Sequence, residues 1–164
     1  MAFDANRGAL IREKLTLAQQ LVRVLEETRE TSLPVTNEAL LQGAVALLGE
    51  GREAFLVLIG QVYGASFPEE RPSLRSLKEQ LGEDNGDLQI LDSLKHDSDS
   101  WWSQLESLLD TQRSVRAGRR QPQQSELIAV AHAGEPSRSP DVIGRLIQGF
   151  RRHLEEFTER HHEW

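Results

Sequence analysis

Apolar side chains are concentrated in residues 36–64, which read TNEALLQGAVALLGEGREAFLVLIGQVYG. The first half repeats apolar residues at intervals of three and four, whereas the second half, from Phe55 onward, is apolar nearly all round. The first pattern is typical of a helix with one buried face, and the second of a helix surrounded by protein. Charged residues at 50–53 interrupt the run, which excludes a membrane span. The stretch predicts a central, buried helix.

Glycine is unusually frequent in this stretch, and each glycine costs a helix about 1 kcal/mol relative to alanine. Gly43 and Gly60 are expected where a neighbouring helix approaches closely. Gly49 and Gly51 stand two residues apart beside charged residues, which favours a kink or a break at 49–52. Gly64 is expected to cap the end of the helix.

The segments on either side predict further helices packed against this one. The first of them has Ile11, Leu15, Ala18, Val22 and Leu25 at alternating spacings of four and three, which is a bundle seam. A second apolar set widens this seam into a face that could touch two neighbours: Leu10, Leu17, Leu21 and Val24.

We therefore expect an all-α fold in a single helical domain covering residues 1–164. It would be a bundle of four long helices at about 5–30, 37–63, 99–117 and 140–162, with short links favouring antiparallel neighbours. Two short helices are inserted after the second. Ser73 and Gly82 bound the first short helix, and Asp87 is expected to cap the other. The run Leu127-Ile128-Ala129-Val130 is expected to be an extended segment across the bundle.

Composition narrows the functional classes. The formal charge of −7 argues against nucleic acid or an anionic membrane as the main partner. The chain has no cysteine, which excludes disulfides, thiolate metal sites and cysteine nucleophiles. The first residues lack the charged start and apolar block of a signal peptide, so we expect a cytoplasmic protein.

Histidine and glutamate near the C-terminus form the candidate metal site. Glu159 and His162 are spaced as the Glu-x-x-His element that places two ligands on one helix face, and His161 and His153 lie on the same predicted helix. Carboxylate metal sites in bundles need two such elements, and the sequence has one. The favoured interpretation is a solvated helix end rather than a metal site.

Four arginines without an intervening acid form a second candidate surface: Arg113, Arg116, Arg119 and Arg120. Such a strip could contact a phosphate backbone or an acidic partner. Because no aromatic residues alternate with the arginines, we favour a solvated helix end that pairs with the acidic stretch at 83–99.

Tryptophan marks the third candidate surface. Trp101 and Trp102 are adjacent, so on a helix they point about 100° apart and are not expected to face the same core. One is expected to pack in the core and the other to lie under the chain at 119–140 or in an interface. Trp164 is expected to dock the C-terminus.

Four segments carry a resemblance to a known family: DANRGALIREKLTLAQQLV at 4–22, WWSQLESLL at 101–109, ELIAVA at 126–131 and FRRHLEEFTERHHEW at 150–164. Together they resemble a family of uncharacterised bacterial proteins of about this length. The family is proteobacterial and is a domain of unknown function. The resemblance implies a compact helical domain of a bacterial cytoplasmic kind. It implies no catalytic residue and no cofactor, because that family has no assigned activity.

The expected function is a non-enzymatic interaction or adaptor role with a protein partner or a second copy. A homodimer would form through glycine-lined or aromatic helix faces. The alternative is a metal- or small-molecule-binding enzyme of the helical-bundle type that uses the C-terminal His and Glu residues. A third interpretation is nucleic-acid association through 113–120. No phosphate-binding loop and no nucleophile elbow occurs in the sequence.

Overall fold

A computed structural model describes residues 5–65, 72–118 and 138–161 of the chain. Within these ranges the secondary structure is helical, with no strand. The all-α bundle is confirmed, and the described ranges contain six helices: α1 Ala5–Thr28, α2 Pro34–Val62, α3 Leu74–Leu81, α4 Gly86–His96, α5 Trp101–Gly118 and α6 Pro140–His161. The extended segment expected at 127–130 lies outside the described residues.

Local capping chemistry sets several helix starts. Ser73 precedes α3, and its hydroxyl accepts from the backbone N–H of Ser76 at 3.0 Å, as the sequence predicts. Gly82, with φ of 87°, closes the same helix. The cap of α4 is Asn85, whose side-chain oxygen accepts from the backbone of Leu88, so the prediction of Asp87 as the cap is wrong. Asp87 lies inside the first turn and is free for another role.

The central helix α2 is continuous from Pro34 to Val62, so the helix does not break at 49–52, and the alternative of a kink there stays a prediction. The glycines there have a packing reason instead. A Cβ added to Gly49 would lie 3.0 Å from Leu109 of α5, and one added to Gly51 would lie 3.3 Å from the Phe150 ring of α6. Glycine lets both helices approach the α2 backbone closely, and that contact compensates for its low helix propensity.

The first two helices form the predicted antiparallel hairpin. Lys14 pairs with Glu50 at 2.6 Å, and Arg7 donates to Gln61 at 2.8 Å, so residues early in α1 meet residues late in α2. Residues 29–33 make the connection, and Pro34 occupies the start of α2, where its missing N–H costs nothing.

The last helix runs parallel to α2. Its start is tied to Glu38 by Arg138 at 3.0 Å, and its end meets Tyr63, whose ring centroid lies 5.5 Å from that of His161. The bundle therefore has one end where α2 and α6 both begin and another where both end. The short helices α3 and α4 follow α2 in the chain at this second end.

Helix α5 runs against α2, with Trp102 near its start and Gln112 near its other end. Arg52 lies 5.1 Å above the Trp102 ring, and Gln112 donates to the backbone oxygen of Gln42 at 3.4 Å. The Arg52 guanidinium is mostly buried, and burial lowers its pKa while the charge of Glu106 opposes that shift. Its cation–π contact replaces part of the lost hydration.

Aromatic rings fill the core where α2, α5 and α6 meet. Phe55 makes edge contacts with Phe150 and Phe157 at 5.8 and 5.2 Å, and Trp101 stacks flat on Phe150 at 4.3 Å. Trp101 and Trp102 are both buried in this core, so the expectation that they could not share it is wrong. Helix α5 contacts both α2 and α6, so each tryptophan packs against a neighbouring helix although the two side chains point in different directions.

No helix in the described ranges is long and apolar enough to cross a membrane.

Glycine lowers helix propensity wherever it occurs, and at some positions it also lets a neighbour approach closely. Paired substitutions separate these two effects. Gly144→Ala on α6, where an added Cβ meets nothing within 4 Å, is expected to raise the free energy of unfolding by roughly 0.5–1 kcal/mol. Gly51→Ala is expected to lower it, because the Phe150 ring is held by its neighbours and cannot move aside. Urea unfolding followed by circular dichroism measures both. Equal gains in the two variants would contradict close approach at Gly51.

Candidate functional site

A buried carboxylate, Asp87, accepts hydrogen bonds from three side chains at the second end of the bundle. Its side chain is 6% exposed. The Tyr63 hydroxyl donates to Oδ2 at 2.7 Å, His161 Nε2 lies 2.7 Å from the same oxygen, and Arg160 Nη2 donates to Oδ1 at 2.7 Å. We call these four residues the Asp87 network. An acceptor carboxylate requires that His161 Nε2 carries the proton.

Three helices deliver the members of the network. Tyr63 is the residue that follows α2, Asp87 lies in the first turn of α4, and Arg160 and His161 end α6. A negative charge near a helix N-terminus and a positive charge near a C-terminus are both favoured by the helix dipoles. The network therefore joins three helix ends, and the charges at the α4 and α6 ends suit the dipoles of those two helices.

The network keeps the carboxylate ionised and the phenol protonated. Burial would raise the pKa of Asp87, but hydrogen bonds from Tyr63, His161 and Arg160 outweigh it, and the net pKa is lowered. Burial, followed by the hydrogen bond to Asp87, raises the pKa of Tyr63 to about 12. The phenol therefore acts as a donor and is a poor nucleophile at neutral pH.

Aromatic contacts continue from the network into the core. The His161 ring lies 4.5 Å from Phe157, which in turn contacts Phe55. His153, 7% exposed, is placed among rings as well, 5.5 Å from Phe55 and 5.8 Å from Trp101. Burial, and then the charge of Arg160, lower the pKa of His153 below 6.5, so its imidazole is neutral at physiological pH.

The candidate metal residues do not converge. Glu159 is exposed, His161 is partly buried against Asp87, and His153 lies in the aromatic core. His162 lies outside the described residues. Across the ranges that the structure describes, no group of three or more His, Asp or Glu side chains is placed to hold a metal ion. The interpretation of this helix end as solvated is wrong for His161.

The arginine strip is described at one position and the tryptophan surface at two. Arg113 is exposed, and its Nη1 lies 3.6 Å from Oδ1 of Asp110, three residues earlier on α5. Its ion pair is therefore with Asp110 rather than with the acidic stretch at 83–99. The side chain of Arg116, together with Arg119, Arg120 and Trp164, lies outside the part of the chain that the structure describes. The two described tryptophans, and the Gly49 and Gly51 face, are covered by the chain's own helices.

Two open grooves lie on the described surface, and neither is lined by histidine or by the Asp87 network. The larger, about 530 Å³, lies between α3 and α4, and its charges pair across it, with Lys78 at 2.6 Å from Asp92. The smaller, about 310 Å³, lies between α2 and α5. Charges of the larger groove pair with one another, and the smaller groove is lined by Glu50, Glu53 and Arg113, so neither groove is lined by charges of one sign alone.

An exposed apolar row runs along α1. Leu10, Leu17 and Val24, seven residues apart, are 39%, 43% and 41% exposed. Ala39 and Ala46 on α2 are exposed too, and they flank Gly43, which packs against Leu21 of α1. These five residues lie on sides of α1 and α2 turned away from the core, and Ala46 also lines the groove between α2 and α5. We call Leu10, Leu17, Val24, Ala39 and Ala46 the outer hairpin face.

Sequence reasoning missed the Asp87 network. His161 was a candidate, but as a metal ligand, and Asp87 was assigned to a cap. One signal was available: Asp87 stands two residues after a capping Asn85 and immediately before the core residue Leu88. Nothing in the sequence places Tyr63 near Arg160, because their contact depends on the parallel run of α2 and α6.

The fold and the network define an all-helical bundle protein tied at one end by a buried, fully paired carboxylate. The chain belongs to DUF6586, a family of unknown function, whose profile matches residues 8–164. The match confirms the resemblance to a family without an assigned activity. No curated protein and no solved structure matches the chain.

Substitution of Asp87 tests whether the network stabilises the fold. Because its folded-state pKa is lowered, the carboxylate stabilises the fold above its unfolded-state value of 3.8, and this contribution is lost as pH falls through the folded value. Asp87→Asn should therefore lower stability near pH 7 and reduce the loss seen between about pH 5 and pH 2. Tyr63→Phe is a milder variant, expected to cost about 1–2 kcal/mol.

Urea unfolding at several pH values measures both Asp87-network variants. The matched control is Asp110→Asn, at an exposed carboxylate on α5, which should keep the wild-type pH dependence. An unchanged pH slope in Asp87→Asn would show that the network does not stabilise the fold.

His153 predicts a second, separate pH dependence. Its folded-state pKa lies below the unfolded value of 6.5, so the unfolded chain binds the proton more readily. Stability is then full above about pH 6.5 and falls as pH drops from there toward the folded value. His153→Leu should abolish this loss, while His96→Gln, at an exposed histidine, should retain it. Thermal melting between pH 5 and pH 7.5, in about half-unit steps, decides the matter. A His153→Leu variant with the wild-type slope would refute the assignment.

Proposed function

We propose that this protein is a non-enzymatic interaction protein that binds an amphipathic helix of a protein partner on its outer hairpin face. The observation that carries the proposal is the row of Leu10, Leu17 and Val24, which stays about 40% exposed along one side of α1. Helix-to-helix docking uses apolar side chains at spacings of three, four and seven residues, and the row supplies the seven-residue spacing.

The available energy sets the kind of complex. Complete burial of a large aliphatic side chain contributes 1.5–3 kcal/mol, so covering the exposed part of each contributes roughly 1 kcal/mol. Three such side chains, and a similar contribution from the partner, come to about 6 kcal/mol, which exceeds the lowest estimate of the association cost, about 4 kcal/mol, by only about 2 kcal/mol. The face therefore supports a weak, regulated or multivalent contact better than a permanent one.

The other interpretations receive less support from the described residues. An enzyme that uses His161 would have to release its Nε2 from Asp87, at a distance of 2.7 Å. Nucleic-acid association through the arginine strip is weakened by the net charge of −7 and by the proximity of Arg113 to Asp110. A polar group that is already hydrogen-bonded inside the protein must break that bond before it binds a ligand, whereas an exposed apolar row has no such bond to break.

We propose that this protein is bacterial, from a proteobacterium, and that it is located in the cytoplasm. The support is the resemblance of its sequence segments to proteins of that kind. Fractionation of a bacterial host that expresses the tagged protein tests the location, and recovery from the periplasm or the membrane would contradict it.

A photoreactive amino acid at a single position tests the outer hairpin face. Placed at Leu17, it is expected to give an adduct with a protein upon illumination of living cells, because an occupant covers that side chain. The same residue at Ser93, exposed on α4, is the matched control and should give none. If positions 17 and 24 yield no more adduct than position 93, the face has no partner and the proposal fails.

A further inference from the structure

We draw no further inference here: the strongest candidate, the mostly buried Arg52 guanidinium between α2 and α5, whose Nε and Nη1 have no hydrogen-bond partner among the described residues, carries nothing because Arg52 lines neither of the two open grooves and no path leads an anion to those nitrogens on the described surface.

Discussion

A carboxylate taken out of water costs several kcal/mol unless donors replace the lost hydration, and this requirement governs one whole end of the bundle. Asp87 obtains its donors from the residue after α2 and from the last turn of α6. The ends of three helices must therefore meet within hydrogen-bond length. A slip of one residue in α6 would turn Arg160 and His161 by about 100° and leave the buried charge unpaired.

Packing of rings and glycines sets the register that the network needs. Phe157 contacts Phe55 on one side and His161 on the other, so the aromatic core determines where the last turn of α6 arrives. Gly51 lets α6 lie against the α2 backbone, beside the Phe150 ring. A bulkier residue at that point would separate the two helices along their length, and the separation would reach the network. Core packing and buried polar pairing thus depend on one another.

Local signals in the sequence predicted the helices well and the site poorly. Ser73 and Gly82 bound α3 because a capping hydroxyl and a residue with positive φ act on their own neighbours. Gly49 and Gly51 misled the prediction, since the cost of glycine is visible in the sequence while the neighbour that offsets it is not. The same reason hid the Asp87 network. Its partners come from distant segments, and their meeting depends on helix direction and register.

Helix α1 has more apolar surface than the described part of its own chain covers. One face, centred on Leu15, packs in the core, and Leu21 of the second set packs against Gly43. The rest of the second set, Leu10, Leu17 and Val24, stays substantially exposed. An isolated exposed leucine is ordinary, but three at seven-residue intervals form a row along one side of the helix, about 10.5 Å apart. We call this row the ridge. The proposed recognition of another helix rests on this ridge, since the polar groups of the Asp87 network are paired within the chain.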